Sequence, residues 1–310
     1  MKIPHLVSVV AALLLVAVPA QSRTWTSSDG RTIEAELVQW KDGKVTLKRT
    51  ADNRIVTLKL DALSELDQAY LLEQASKPAP TAELKPVVAK DMFADRVTGE
   101  WEKLEHRRLK FRFYGGKELD GAKTYPLVIF LHGRGSGGTD NEKQLGAGPR
   151  SFAEPSNYGD RPCFILAPQC PDDSIGWNGA VQDDLFKLIE LSLKSLPIDR
   201  KRVYLTGLSM GGYGTWAAIA REPDLFAAAI PVCGGGDPAS ARDLRKLPIW
   251  AFHGEDDDVV PAEQSRRMVE ALEKARAKIK YTELPGVRHN AWDYVYPKAE
   301  VHEWLFQQSR

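Results

Sequence analysis

No excess of charge of either sign marks this sequence: 42 Lys and Arg stand against 42 Asp and Glu in 310 residues. That balance gives no electrostatic case for nucleic acid or for an anionic membrane surface as partner. Cysteine is scarce, with Cys163, Cys170 and Cys233 alone. An oxidising compartment could pair two of them at most, so no disulfide framework is implied. The apolar stretch from Leu6 to Val18 falls short of the roughly 18 to 20 residues that span a bilayer. It follows Met1-Lys2 and precedes "VPA", so residues 1–20 are expected to be a secretory signal peptide cleaved near Ala20. No cysteine precedes Cys163 to carry a lipid there. The mature chain is therefore expected to be soluble, without a membrane anchor, and secreted or periplasmic.

What remains is long enough for one large domain and a small one. Residues 23–75 alternate apolar and polar side chains in "TIEAELVQW", "KVTLKRT" and "RIVTLKL", broken by "SSDG", "KDG" and "ADN". That period of two predicts a small antiparallel β domain, closed by a helix over "LSELDQAYLLEQ". Residues 76–100 hold Pro78, Pro80 and Pro86 without periodicity and read as a linker. From 101 to 310 the pattern changes. A hairpin is expected in "RRLKFRFYGGKELDGAKTYP", followed by near-continuous apolar runs: "LVIFLHG", "CFILAPQ", "VYLTGLS", "FAAAIPVCGG", "PIWAFHG" and "KIKYTELPG". Such runs suit parallel strands buried on both faces. Helical segments alternate with them, as where Val181, Leu185, Leu188, Ile189, Ser192 and Leu196 share one side, and the sum predicts a doubly wound α/β sheet.

One turn carries the chemistry. Gly207-Leu208-Ser209-Met210-Gly211 follows the strand "VYLT" and opens a helix, the context in which Gly-x-Ser-x-Gly lifts a serine hydroxyl above a sheet edge. A hydroxyl is a weak nucleophile and needs a base, which in turn needs an orienting acid. In this arrangement the acid and then the histidine follow the serine, each beyond a later strand. His289, in "GVRHNAWD", satisfies that order, whereas His253 leaves no acid-then-histidine sequence and reads as packing at a strand end. His302 falls in the terminal helix as a surface or core residue. Between them "FHGEDDDVVP" holds four consecutive carboxylates. These could cradle a cation, face water, or supply one catalytic acid, although adjacent side chains seldom converge on one point. The glycine-bearing loop "HGRGSGG" ends the first long strand without the Gly-Lys-Ser/Thr ending of a phosphate loop. The backbone N–H groups of Met210 and Arg134 are the expected oxyanion donors.

With "YPLVIFLHGRGSGG", "FILAPQCP", "VYLTGLSMGGYGTWAAI", "FAAAIPVCGGGD", "PIWAFHGEDDDVVP" and "GVRHNAWD", residues 101–310 resemble the α/β-hydrolase superfamily. Within it the resemblance is to the phospholipase/carboxylesterase, dienelactone-hydrolase-like and prolyl-oligopeptidase-related branch. It implies Ser209 as nucleophile, His289 as base and, from the pattern His-Gly-x-x-Asp-x-Val-Val-Pro, Asp257 as acid, with Asp256 and Asp258 diverging from it. Residues 23–75 resemble the Sla-type homology domain, a small SH3-like module; it either engages a peptide or protein partner or serves as a spacer.

The expected reaction is two-step acyl transfer from an ester, without metal or organic cofactor. The segment Gly234 to Pro248 is too short for a lid domain, so an open cleft is expected. Its substrate is then a small-molecule or carbohydrate-linked ester with a short-chain, aryl or sugar-borne acyl group, with Trp177 and Trp292 as candidate aromatic walls. A serine peptidase of prolyl-oligopeptidase type would use the same three residues, and a scaffold acting through the N-terminal module would need none of them.

Overall fold

Period-two runs become strands wherever Gly, Asp or Asn breaks them, and the first unit is built that way. In this computed structural model, residues 22–41, 43–76, 92–93, 95–117, 119–120 and 122–310 are described. They form two compact units that divide between residues 86 and 87. The expected signal peptide, residues 1–20, lies outside the described residues, as do residues 77–91 of the expected linker.

In the first unit, β1 (Arg23–Thr26), β2 (Thr32–Lys41), β3 (Lys44–Arg49) and β4 (Ile55–Lys59) make an antiparallel sheet in the order of the chain. Trp25, Ala35, Val45 and Leu47 point to one face and bury against Leu63 and against Leu71 of α1 (Glu65–Ser76). The buried Asp67 ties helix to strand: its carboxylate accepts from the Thr26 N–H at 2.7 Å and from Arg23 at 2.7 Å.

The second unit runs β5 (Glu102–His106), β6 (Leu109–Tyr114), β7 (Tyr125–Leu131), α2 (Ala147–Ser151), α3 (Pro155–Tyr158), β8 (Phe164–Gln169) and α4 (Gly179–Ser195). It continues through β9 (Ile198–Leu208), α5 (Met210–Arg221), β10 (Ala228–Val232), β11 (Ile249–Gly254), α6 (Glu263–Lys274), β12 (Ile279–Leu284), α7 (Trp292–Val295) and α8 (Ala299–Phe306). The eight strands lie in the order β12-β11-β10-β9-β7-β8-β6-β5. β7 to β12 pair in parallel, while β6 joins β8 and β5 joins β6 antiparallel. Both faces are covered, which explains the continuous apolar runs. Leu127, Ile129 and Leu131 of β7 pack with α4, α5 and α6 on one face; Val128 and Phe130 pack with Tyr296 and the terminal helices on the other. The doubly wound α/β architecture expected from the sequence is the one observed.

Two expectations are corrected. The hairpin is displaced toward the N-terminus of "RRLKFRFYGGKELDGAKTYP": it pairs β5, which precedes that stretch, with β6 about Arg107, whose positive φ of 56° makes the turn. Arg107 and Arg108 both reach the buried carboxylate of Asp184 on α4, and β6 is then committed to β8 rather than to a strand after Gly116. The second unit also begins before Trp101. Phe93, within the expected linker, is buried with its ring 4.8 Å from that of Phe113 and 6.3 Å from that of Phe111.

Candidate active site

Chain order reverses between β7 and β9: β8 lies beyond β7, and β10 and β11 lie beyond β9. A crevice forms at such a switch point, outside the carboxyl ends of the strands. Here it is a cleft of about 1180 Å³ bordered by Ser209, Met210 and His289 and by the loop from His132 to Ser136.

Ser209 sits between β9 and α5 with φ 53° and ψ −116°, a conformation that costs a non-glycine residue energy and projects its side chain from the turn. The turn closes because Gly207 and Gly211 have no side chains. A Cβ on Gly211 would lie 2.0 Å from the Leu131 carbonyl oxygen, and one on Gly207 would lie 2.5 Å from that of Gly211. The Ser209 N–H donates to Val232 at 2.9 Å, tying the turn to β10.

The Ser209 hydroxyl lies 2.9 Å from Nε2 of His289, and Nδ1 of His289 lies 2.6 Å from Asp257 Oδ2. The carboxylate can only accept, so Nδ1 carries the proton and Nε2 is left to take one from the serine. Asp257 Oδ1 accepts from the N–H groups of Val259, at 3.0 Å, and Val260, at 2.8 Å. Burial pushes the Asp257 carboxyl up, but the hydrogen bonds from His289, Val260 and Val259 outweigh it and hold the group below its ordinary value.

The acidic run thus separates. Asp257 is buried, whereas Glu255, Asp256 and Asp258 are exposed. Asp258 pairs with Arg288 instead of turning inward. Among the described residues, the side chains able to converge on an ion near this run are Cys233, His253 and Asp257, whose ligand atoms lie within 4.8 Å of one another. Their lone pairs and protons are already engaged. The Cys233 thiol, pushed up to about 12 by burial, stays protonated and hydrogen-bonds Asp257. Burial keeps His253 neutral, with Nε2–H donating to the Val260 carbonyl at 2.9 Å and Nδ1 2.7 Å from the Ser265 hydroxyl. His253 therefore braces the loop that carries Asp257. Burial likewise keeps His302 neutral at the far side of the sheet, bonded to the Tyr296 carbonyl at 2.7 Å.

Arg134 and Met210 both border the cleft beside Ser209. Met210 is the first residue of α5, where an N–H has no intrahelical acceptor. Sequence reasoning passed over what fixes the Arg134 loop. Asp173 accepts from the N–H groups of Gly135, at 2.6 Å, and Gly137, at 3.0 Å. Burial holds His132 neutral, and its Nε2 accepts from the Cys170 N–H at 2.9 Å. Nothing local in "QCPDDS" distinguishes Asp173 from Asp172, because its partners lie 36 and 38 residues away.

Trp177 and Trp292 both border the cleft, Trp177 as a largely buried support. The Trp177 ring is 1% exposed, packs behind Gly214, and donates its indole N–H to the His132 carbonyl at 3.0 Å. Trp292 is part-exposed at the cleft, edge-on to His289 at 5.2 Å and 88°. The three cysteines are free and buried.

The fold has counterparts. A solved structure described as a thermostable esterase is 40% identical, with a TM-score of 0.63 over 68% of this chain and 63% of its own. The second unit has the α/β-hydrolase fold. Within this unit, residues 173–294 match the model of the Dienelactone hydrolase family. A bifunctional acetylxylan esterase/xylanase of Neocallimastix patriciarum is 37% identical over 146 residues, 46% of this chain and 21% of that protein. A ferulic acid esterase of Anaeromyces mucronatus, solved with ferulic acid, shares the fold at 17% identity and TM-score 0.53, covering 67% of this chain and 90% of its own. The chain thus spans 63% of the thermostable esterase and about a fifth of the curated relative.

Proposed function

We propose that the chain is an exported serine esterase that hydrolyses carboxylic esters, carbohydrate-linked acyl groups among them, through an acyl-enzyme on Ser209. The observation that carries this reading is the continuous relay from the Ser209 hydroxyl through His289 to Asp257, at 2.9 Å and 2.6 Å. Likeness to a thermostable esterase and to an acetylxylan esterase/xylanase supports the ester and the carbohydrate parts of it.

In this mechanism the Ser209 oxygen attacks the ester carbonyl as its proton passes to His289 Nε2. Asp257 keeps the imidazole in the receptive tautomer and stabilises the imidazolium that forms. The carbonyl oxygen becomes an oxyanion facing the N–H groups of Arg134 and Met210. A fixed donor of this kind lowers the barrier by about 3 kcal/mol. His289 then protonates the departing alcohol, and a water deprotonated by the same nitrogen releases the acid.

The N-terminal unit is assigned as an SH3-like module of the Sla type that spaces or docks the catalytic unit; its four-stranded antiparallel sheet supports that assignment. Export rests on the apolar segment after Met1-Lys2.

The deciding experiment is Ser209→Ala together with labelling by a serine-reactive fluorophosphonate, followed by a panel of acetyl, butyryl, feruloyl and peptide substrates. Wild-type protein should label once, at Ser209, and turn over esters in preference to amides. Wild-type turnover in Ser209→Ala would remove the proposal, and a preference for peptides would turn it into a peptidase. Deleting residues 23–75 and assaying turnover and partner capture separates the role of the first unit from catalysis.

A further inference from the structure

Two histidines converge on one oxygen of the acid. Nδ1 of His289 lies 2.6 Å from Asp257 Oδ2, and Nε2 of His253 lies 3.3 Å from the same atom. His253 is buried near the end of β11 and does not border the cleft. Any part it takes in the reaction must pass through Asp257.

Its surroundings decide which nitrogen of His253 carries the proton. Nε2 faces the Val260 carbonyl at 2.9 Å as well as the Asp257 carboxylate, and both of these can only accept. Nε2 is therefore protonated. Burial keeps the ring neutral, so Nδ1 accepts from the Ser265 hydroxyl on α6, at 2.7 Å. In the other neutral tautomer Ser265 would turn its proton to the Gly234 carbonyl, 2.9 Å away, and a bare Nε2 would oppose two oxygens.

The Nε2–H acts on both oxygens of the acid. Val260 donates its N–H to Asp257 Oδ1 at 2.8 Å while its carbonyl takes the His253 proton, so the ring fixes the residue that orients one carboxylate oxygen. Its positive edge lies against the other. An apolar side chain in place of His253 would take the donor from the Val260 carbonyl and leave Oδ2 to His289 alone.

The remaining titratable groups around the two rings keep their charge where His289 titrates. Glu283, opposite His253 on β12, is held below its ordinary value by Arg266, which donates to it at 2.9 Å. Burial keeps the Cys233 thiol and the Tyr213 phenol protonated, and Asp258 is paired with Arg288. A shift in the titration of His289 therefore reports on Asp257.

We propose that His253 is a positioning residue for the reaction: its Nε2–H, set between the Val260 carbonyl and Asp257 Oδ2, holds the acid in line with His289 and so sustains the basicity of that imidazole. The inference rests on the ester-hydrolase reading and deepens it. It extends the relay from Asp257 to His253 and Ser265.

The test compares, in the full chain, His253→Gln, whose amide N–H₂ can take the place of Nε2–H, with His253→Leu, which has no donor. His253→Leu should lower kcat on p-nitrophenyl acetate by about ten- to hundredfold, the effect of letting a positioned group drift by about 1 Å. The acid limb of kcat/KM, which reports His289 in the free enzyme, should move to lower pH as the imidazolium loses support. The low-field proton resonance of the His289–Asp257 hydrogen bond should fade with it. His253→Gln should restore all three. An acid limb that stays in place or moves to higher pH in His253→Leu would overturn the inference, as would a His253→Gln variant no better than His253→Leu. If His253→Leu does not fold, Ser265→Ala, which frees the ring, should show the same changes in smaller degree, and an unmoved limb there would overturn the inference equally. Nitrogen NMR of the wild type must also find the His253 proton on Nε2, and a proton on Nδ1 alone would remove the premise. Fluorophosphonate labelling and hydrolysis of p-nitrophenyl acetate by the wild type keep the two readings apart. Their absence defeats the esterase proposal, whereas their presence with an unmoved acid limb defeats this inference alone.

Discussion

Asp257 grips His289 at 2.6 Å with one carboxylate oxygen while the other is held by the N–H groups of Val259 and Val260. The acid is therefore oriented from both ends, and the imidazole cannot turn its protonated nitrogen toward the serine without losing its hydrogen bond to Asp257.

Replacing Asp257 by Asn retains the shape but presents an N–H₂ group that favours the wrong tautomer. Turnover of an activated ester should fall by about 10³- to 10⁴-fold. Asp256→Asn and Asp258→Asn should stay within about twofold, because both side chains are exposed and Asp258 is turned toward Arg288. Steady-state kinetics on the three variants decides, and a large loss at 256 or 258 with little at 257 would move the acid by one residue.

Asp173 should matter without touching the reacting atoms. Its carboxylate gathers the Gly135 and Gly137 N–H groups and so sets where the Arg134 N–H points. Asp173→Ala should lower kcat by about ten- to hundredfold with KM little changed, since misplacing a positioned group by about 1 Å has an effect of that order. Affinity for a boronic acid that mimics the tetrahedral intermediate should fall in parallel, while stability stays close to wild type. Loss of stability without loss of boronate affinity would leave Asp173 a merely structural residue.

His302 gives a pH signature remote from the cleft. Burial depresses its folded value below the ordinary 6.5, against the opposing hydrogen bond to the Tyr296 carbonyl. A depressed histidine contributes stability that is present above its unfolded value and is lost as pH falls through the folded one. Urea denaturation should therefore show stability declining as pH drops from about 6.5, as the unfolded chain takes up the proton first. In His302→Gln the amide can still donate to Tyr296, so the decline should shrink by the share of this one group. An unchanged slope would mean that His302 is not held neutral.

The sequence disclosed the second unit so fully because its signals are local. Parallel strands buried on both faces read as continuous apolar runs, and the elbow at Ser209 is a motif of five adjacent residues whose glycines are required by backbone contacts. His289 and Asp257 followed from chain order and a family pattern for the same reason. What stayed hidden depends on partners distant in sequence. Asp173 acts across 36 to 38 residues. That Trp177 also braces the loop, through its indole N–H to the His132 carbonyl, depends on a partner 45 residues away. The β5–β6 hairpin was displaced because "RRLKFRFYGG" carries a glycine pair that resembles a turn, whereas the actual turn uses an arginine with positive φ.

Gly211 offers the sharpest test of why the elbow has this sequence. A Cβ there would lie 2.0 Å from the Leu131 carbonyl oxygen and 2.8 Å from that of His132, both backbone atoms at the end of β7. No flexible side chain can yield, so Gly211→Ala must push α5 away from β7 or distort the strand end that carries the Arg134 loop. Either movement separates the Met210 and Arg134 N–H groups. The variant should be less stable by about 3 kcal/mol or more. Whatever protein remains folded should react with fluorophosphonate at least about a hundredfold more slowly, since a fixed donor to the developing oxyanion is worth that much. Urea denaturation and labelling rates measure the two effects separately. Wild-type values in both would show that the close approach of helix and strand does not set the geometry of the nucleophile.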